Sequence, residues 1–160
     1  MSTLQNDFHL TPTEEAAVRG VVARALDASH DADRTGIAAA IVSGDSIVEI
    51  AENEVNLQGD PTQHAEMVLI SRVTQSMNRK QLSVCTLISS LQPCEMCLSA
   101  MRFAGITRVI FCARQANVAG KYFVFPRLTI DAFQEAGEQF TFIGGVLEEE
   151  VVHLYATGDE

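Results

Sequence analysis

Positive charge is scarce in this chain: 11 lysines and arginines face 21 aspartates and glutamates, for a formal net charge of −10 over 160 residues. Such a surface repels phosphate backbones over a Debye length, and the few cations are scattered. Nucleic acid is therefore not the expected partner. No apolar run reaches the roughly 18 residues that a membrane span requires. Met1 to Phe8 lacks the basic stretch and apolar core of a secretory leader. Cysteine is limited to Cys85, Cys94, Cys97 and Cys112. Without a leader the reducing cytoplasm is the expected compartment, and there a pair three apart points to metal or redox chemistry before a disulfide. Internal repeats and linker-like stretches are also lacking.

What remains is core-forming sequence. Hydrophobic residues make up 47% and charged residues 20%, the balance of a globular chain. The length suits one domain over residues 1–160. Thr11, Pro12 and Glu14 form a capping box with proline at the first helical position, followed by Ala17, Val18, Val21, Val22, Ala25 and Leu26 at helical spacing. Ser29 to Thr35 reads as a loop. Ile37 to Val42 and the returning Ile47, Val48 and Ile50 flank a Ser43-Gly44-Asp45 turn, a hairpin pattern. The patterning predicts a helix from about Gln63 to Met77 capped by Thr62, with Met67, Val68, Leu69, Ile70 and Val73 on its buried side. A strand is predicted over Val84 to Ser89, and a helix from Cys94 to Ala104 stopped by left-handed Gly105. A strand is predicted over Ile106 to Cys112. Toward the end come a helix over Leu128 to Ala136, a strand over Phe140 to Ile143 and a helix over Leu147 to Tyr155. Alternation of strand and helix after a hairpin implies crossovers, a mixed sheet and helices on its faces.

The chemistry concentrates in His64-Ala65-Glu66 and in Pro93-Cys94-Glu95-Met96-Cys97, each where a helix begins. Cysteines three apart on a helix share a face, and the helix N-terminus favours thiolate. With His64 as third ligand, two thiolates and one imidazole balance Zn²⁺ and leave its fourth position open, the arrangement of catalytic zinc. Zinc can bring the pKa of its water from 15.7 to about 7. Glu66 leaves the helix start on another side, where it can take the water's proton and return it to a ring nitrogen and a leaving amine. Its pKa is expected to be raised.

H-x-E paired with P-C-x-x-C is a signature of zinc nucleobase deaminases. On those motifs the sequence resembles the cytidine deaminase-like superfamily. Asp60-Pro61-Thr62-Gln63-His64-Ala65-Glu66, Pro93 to Cys97 and Gly144 to Glu150 resemble its branch of guanine deaminase, yeast-type cytosine deaminase and tRNA adenosine deaminase. The resemblance spans about Ile37 to Tyr155. It implies a three-layer α/β/α sandwich with about five strands, one zinc ion per subunit on His64, Cys94 and Cys97, proton shuttling by Glu66, and a homodimer or higher oligomer. It also implies that the Asn53 amide binds the ring, and that the backbone N–H groups of Ala65 and Cys94 are candidates for contacting substrate or the developing oxyanion. The expected substrate is a small purine, pyrimidine or related amino-ring. Two departures stand out: Gln92 where the family commonly has Glu, and an unmatched Arg114 to Pro126, a region that normally walls the pocket.

Other readings compete. Cys94 and Cys97 alone suit a redox pair, and Cys85, Cys112 or His153 as fourth ligand would make the zinc structural, although Cys85 and Cys112 fall in predicted strands. Asn53 can be a turn residue, with Asn56 its competitor. Phe123 and Phe125 suit core or interface better than ring stacking. His9, His30 and His153 have no partner pattern, and Glu148 to Glu150 reads as a solvated helix start. As functions, a free-base or nucleoside deaminase stands against a tRNA adenosine deaminase and a zinc or redox binding protein without turnover.

Overall fold

A computed structural model describes residues 8–31 and 34–158. The leader reading of Met1 to Phe8, except for Phe8, and positions 32 and 33 of the polar loop lie outside the described residues. Helix α1, Pro12–Ala28, starts on the expected capping box. The Glu14 N–H donates to Thr11 Oγ1 at 3.1 Å, and the Thr11 N–H donates to Glu14 Oε1 at 2.9 Å. Its stripe of Ala17, Val18, Val21, Val22 and Ala25 is buried against the sheet.

Strands β1 (Ala38–Ser43) and β2 (Ser46–Glu52) form the hairpin, turning at Gly44 with φ 57°. With β3 (Cys85–Leu91), β4 (Arg108–Ala113) and β5 (Thr141–Ile143) they make one sheet in the order β2-β1-β3-β4-β5. The pairs β1–β2 and β1–β3 are antiparallel, whereas β3–β4 and β4–β5 are parallel, so the sheet is mixed as expected.

Every residue of β3 is buried, because helices cover both faces. Alternate side chains go to opposite sides. Thr86 bonds Glu14 of α1, and Ser90 bonds Tyr155 of the C-terminal helix, Glu148–Tyr155. Ser89 points the other way, to Glu66 in the helix Ala65–Val73. That helix packs beside Glu95–Ala104, completing the three layers. Gly105 ends the latter at φ 97°, the left-handed stop that the sequence predicts.

Several boundaries differ from expectation. After the short α2 (Val55–Gln58), helix α3 spans Ala65–Val73, with His64 rather than Thr62 as its N-cap. The Thr62 N–H and hydroxyl both donate to Asp60 Oδ1, at 2.9 and 2.7 Å, so this local turn takes the residue out of the helix. Val68, Leu69 and Val73 are buried as expected, whereas Met67 and Ile70 are half-buried. Beyond Val73 the chain starts a separate α4, Arg79–Leu82, capped by Asn78. Helix α5 is Glu95–Ala104 and α6 is Ile130–Ala136, where Thr129 caps the Ala132 N–H at 3.1 Å. Helix α7 begins at Glu148, because Leu147 sits in the left-handed region at φ 52°. Among the described residues no helix is long and apolar enough to cross a membrane.

Candidate functional site

The three zinc-ligand candidates meet at two helix starts. His64 and Cys94 are the N-caps of α3 and α5, both with extended backbone, and neither side chain is spent capping its helix. Cys97 lies one turn into α5. The Cys94 and Cys97 sulfurs are 3.5 and 3.6 Å from His64 Nδ1 and 3.7 Å from each other. Tetrahedral zinc with its usual bond lengths needs ligand atoms roughly 3.5 to 3.8 Å apart. The donor set therefore fits a zinc ion without rearrangement. Among the described residues this is the group of histidines, cysteines and carboxylates placed to hold a metal. Cys97, together with the His64 ring and against the effect of burial, holds the Cys94 thiol down to about 5, so the sulfur is a thiolate at neutral pH.

The rival fourth ligands fall away. Cys85 is buried with its sulfur 3.4 Å from the Gln81 carbonyl, and Cys112 is buried in β4, where burial pushes its thiol up. Neither belongs to the cluster, nor does His153. A redox pair loses ground for the same reason: His64 completes a metal set around both sulfurs.

Glu66 is 4% exposed in the second position of α3. The Ser89 hydroxyl donates to its Oε1 at 2.6 Å, and burial raises its carboxyl above the ordinary range, as expected of a proton carrier. His64, Glu66 and Cys94 open onto a cavity of about 670 Å³. That volume is in the range of small-molecule sites.

Asn53 lines this cavity and is a turn residue as well. Its Oδ1 accepts the Val55 N–H at 3.0 Å, which pins the amide in the wall. Asn56 is exposed and outside the lining. The N–H groups of Ala65 and Cys94 lie at the two helix starts, and neither donates to a backbone carbonyl in the loops and caps of the described residues. Cys94 lines the cavity; Ala65 is fully buried and not part of its wall.

The unmatched Arg114–Pro126 segment forms 3₁₀ turns at Gln115–Asn117 and Gly120–Tyr122 and closes one side of the cavity. Gln92 fastens it, its Oε1 accepting the Gln115 N–H at 2.9 Å. Glu148 fastens it again, accepting from the Arg114 backbone and guanidinium and from Asn117. The acidic run at α7 is thus a helix start whose first glutamate also serves the wall. Phe123 is buried against Cys94 and Cys97, whereas Phe125 is 60% exposed at the cavity.

Sequence reasoning missed Ser89 as the partner of Glu66, and Glu95 and Tyr122 as residues lining the cavity. Ser89 reads as a small strand residue and Tyr122 sits in unmatched sequence. An acid at the first position of a helix reads as a dipole partner. Its place between the two cysteines was the one available signal.

Residues 12–113 match the family described as the cytidine and deoxycytidylate deaminase zinc-binding region, and the chain belongs to that family. It is 38% identical over 89 residues to a tRNA-specific adenosine deaminase of Aquifex aeolicus, covering 56% of this chain and 59% of that one. It is 30% identical over 154 residues to tRNA-specific adenosine deaminase 2 of Xenopus laevis, covering 91% and 86%. To guanine deaminase of Bacillus subtilis it is 35% identical over 81 residues, covering 51% and 52%. Two of these three matches thus span little more than half of the relative's length. In fold it is similar to a guanine deaminase of Nitrosomonas europaea, with a TM-score of 0.69 at 22% identity, covering 90% of this chain and 82% of that one. It is also similar in fold to a tRNA:A34 deaminase, with a TM-score of 0.73 at 22% identity, covering 88% and 99%. The expected α/β fold and family membership both hold.

Proposed function

We propose that the protein is a zinc-dependent hydrolytic deaminase of a small amino-heterocycle, a nucleobase or nucleoside, releasing ammonia. The observation that carries this reading is the buried Glu66 carboxyl beside the His64, Cys94 and Cys97 cluster, opening on a cavity of ring-binding size.

His64, Cys94 and Cys97 would hold a zinc ion, which when bound would acidify a water toward a pKa of about 7 and so provide a nucleophile at neutral pH. Glu66 takes the proton that the attacking water gives up and passes it to a ring nitrogen, then to the departing amine. Its raised carboxyl suits both acceptance and return. Ser89 keeps the carboxylate from swinging away between the two transfers. Asn53 and the Cys94 N–H hold the ring. Over the cycle one water and one amino-ring become an oxo-ring and ammonia.

The test is ammonia release by zinc-loaded protein from guanine, cytosine, adenine and their nucleosides. Turnover with at least one of them, abolished in Glu66→Ala, is the expected result. No release from any, with Glu66→Ala indistinguishable, removes the enzyme reading and leaves the binding protein.

A tRNA adenosine deaminase is the second reading, favoured by the Xenopus laevis relative, whose match runs over 91% of this chain. The net charge of −10 weighs against it. Tight tRNA binding at physiological salt decides for it. The cytoplasm is the proposed compartment, in keeping with four free cysteines, and a homodimer the proposed assembly, to be measured by light scattering.

A further inference from the structure

Tyr155, the last residue of α7, is fully buried, and its hydroxyl donates to the Gly36 carbonyl at 2.6 Å. Gly36 stands between Thr35 and Ile37, both of which line the cavity beside the metal cluster. A phenol has one hydrogen, so the 2.8 Å contact between Tyr155 and Ser90 is a bond that the serine donates. Ser90 Oγ in turn accepts the Ala38 N–H at 3.1 Å. Burial pushes the phenol above its ordinary range, so it stays protonated around neutral pH.

The same stretch of chain holds Asn53. The Asn53 N–H donates to the Ile37 carbonyl at 3.0 Å, one residue beyond the Ala38–Glu52 pair that ends the β1–β2 ladder. Asn53 lines the cavity and is the candidate ring-binding amide. The stretch is also confined from behind: a Cβ on Gly36 would lie 2.8 Å from Ser29 Cβ and 2.9 Å from the Ala25 carbonyl oxygen. Gly36 is thus wedged between the end of α1 and the Tyr155 hydroxyl. Tyr155 touches the loop after β4 as well, its carbonyl accepting the Ala119 N–H at 2.9 Å and its ring packing edge-on against Tyr122, with centroids 5.8 Å apart at 81°.

We propose that Tyr155 is a positioning residue for substrate recognition: through Gly36 and Ser90 it holds Ile37, and through Ile37 it fixes where Asn53 meets the ring. The proposal rests on the deaminase reading for the role of Asn53, but one arm of its test needs no substrate. Tyr155 belongs neither to the cavity lining nor to the metal cluster. Its hydroxyl acts through the backbone, so it governs ring affinity and not the proton transfers assigned to Glu66. A buried hydrogen bond to a carbonyl is costly to lose, because the acceptor stays behind without a partner.

Tyr155→Phe removes the hydroxyl and keeps the ring against Tyr122. Three measurements on zinc-loaded protein decide. Hydrogen exchange compares the Asn53 amide with those of Val109 to Phe111 in β4, which report global opening. Steady-state ammonia release from guanine, cytosine, adenine and their nucleosides gives KM and kcat. Calorimetric binding of the same rings to Glu66→Ala protein gives Kd where turnover does not interfere. The last two are repeated with Asn53→Ala in place.

In Tyr155→Phe the Asn53 N–H should exchange about tenfold or more faster relative to the β4 amides. KM and Kd should rise about 5- to 20-fold, with zinc content unchanged and kcat within about threefold. With Asn53→Ala already present, Tyr155→Phe should change Kd by less than about twofold, the non-additivity of residues that act as a unit. A hydroxyl that serves stability alone speeds all these amides together and leaves Kd unchanged, which overturns the proposal. So does an equal rise in Kd with and without Asn53. If Tyr155→Phe does not fold, as melting and zinc content will tell, Ser90→Ala breaks the Ala38 end of the same set of bonds and is judged by the same criteria. Should no ring bind, the deaminase reading falls, and exchange at Asn53 alone decides: faster than β4 supports the positioning role, in step with β4 overturns it. Ammonia release without the coupling to Asn53 sinks this proposal alone.

Discussion

The Ser89 hydroxyl donates a 2.6 Å hydrogen bond to the Glu66 carboxylate, joining the central strand to the helix that carries the candidate proton shuttle, with both residues buried. Strand β3 reaches this face at every second residue, so Ser89 alone of its neighbouring serines serves Glu66, while Ser90 bonds Tyr155 on the opposite side.

Ser89→Ala should therefore lower kcat about 10- to 100-fold, the range for a lost hydrogen bond to a charged group, with zinc content unchanged. Ser89→Thr keeps the hydroxyl and should recover most of it. Steady-state kinetics on metal-quantified protein check this; equal kcat in Ser89→Ala and the parent would remove the positioning role.

Glu66→Ala should abolish turnover yet retain zinc, because the ligand set at the two helix starts does not include it. Cys94→Ala should lose the metal and with it stability, since metal binding is folding free energy. Elemental analysis and thermal melting separate the two outcomes. Retained turnover in Glu66→Ala contradicts the shuttle.

Acid should loosen α1 from the sheet. Burial alone would raise the Glu14 carboxyl, but Arg108, the Thr11 N–H and Thr86 outweigh it and hold the group below its ordinary value of 4.5. A carboxyl lowered in the folded state contributes stability that is complete above its unfolded pKa and is lost as pH falls through the folded one. Melting temperature should therefore drop more between pH 6 and pH 3 in the parent than in Glu14→Gln, which keeps the capping acceptor without the charge. Parallel curves would show that the Arg108 pair adds nothing.

Glu148 governs the cavity wall in the same sense. Its carboxyl is shielded enough for burial to raise it, yet the Arg114 guanidinium and backbone N–H and Asn117 bring it down to about 2. Glu148→Ala frees Arg114 and Asn117 together, so KM should rise severalfold while zinc stays bound. The Arg114 contribution at this site persists above about pH 4.5 and fades toward pH 2. Unchanged KM would show that Gln92 suffices to hold the wall.

Much of the fold was legible because local signals and periodicity agree. The Thr11–Glu14 box, the Gly44 turn and the Gly105 stop are each enforced within a few residues, and the hydrophobic pattern reads the same from every position. The start of α3 was misplaced because Asp60 captures Thr62 in a turn, a competition that periodicity does not register. The His64, Cys94 and Cys97 set was legible because metal coordination demands particular atoms at particular spacings.

The sequence by itself determined the candidate metal ligands, the candidate shuttle, the family and the order of the main strands and helices, all of which rest on residue type and short-range spacing. Tertiary structure alone decided that Ser89 bonds Glu66, that Gln92 and Glu148 hold the wall, and that Glu95 and Tyr122 line one cavity. Those pairings join residues 23 to 34 positions apart, as for Ser89 and Glu66 or Arg114 and Glu148, and only the packing of strands against helices brings them within hydrogen-bond distance.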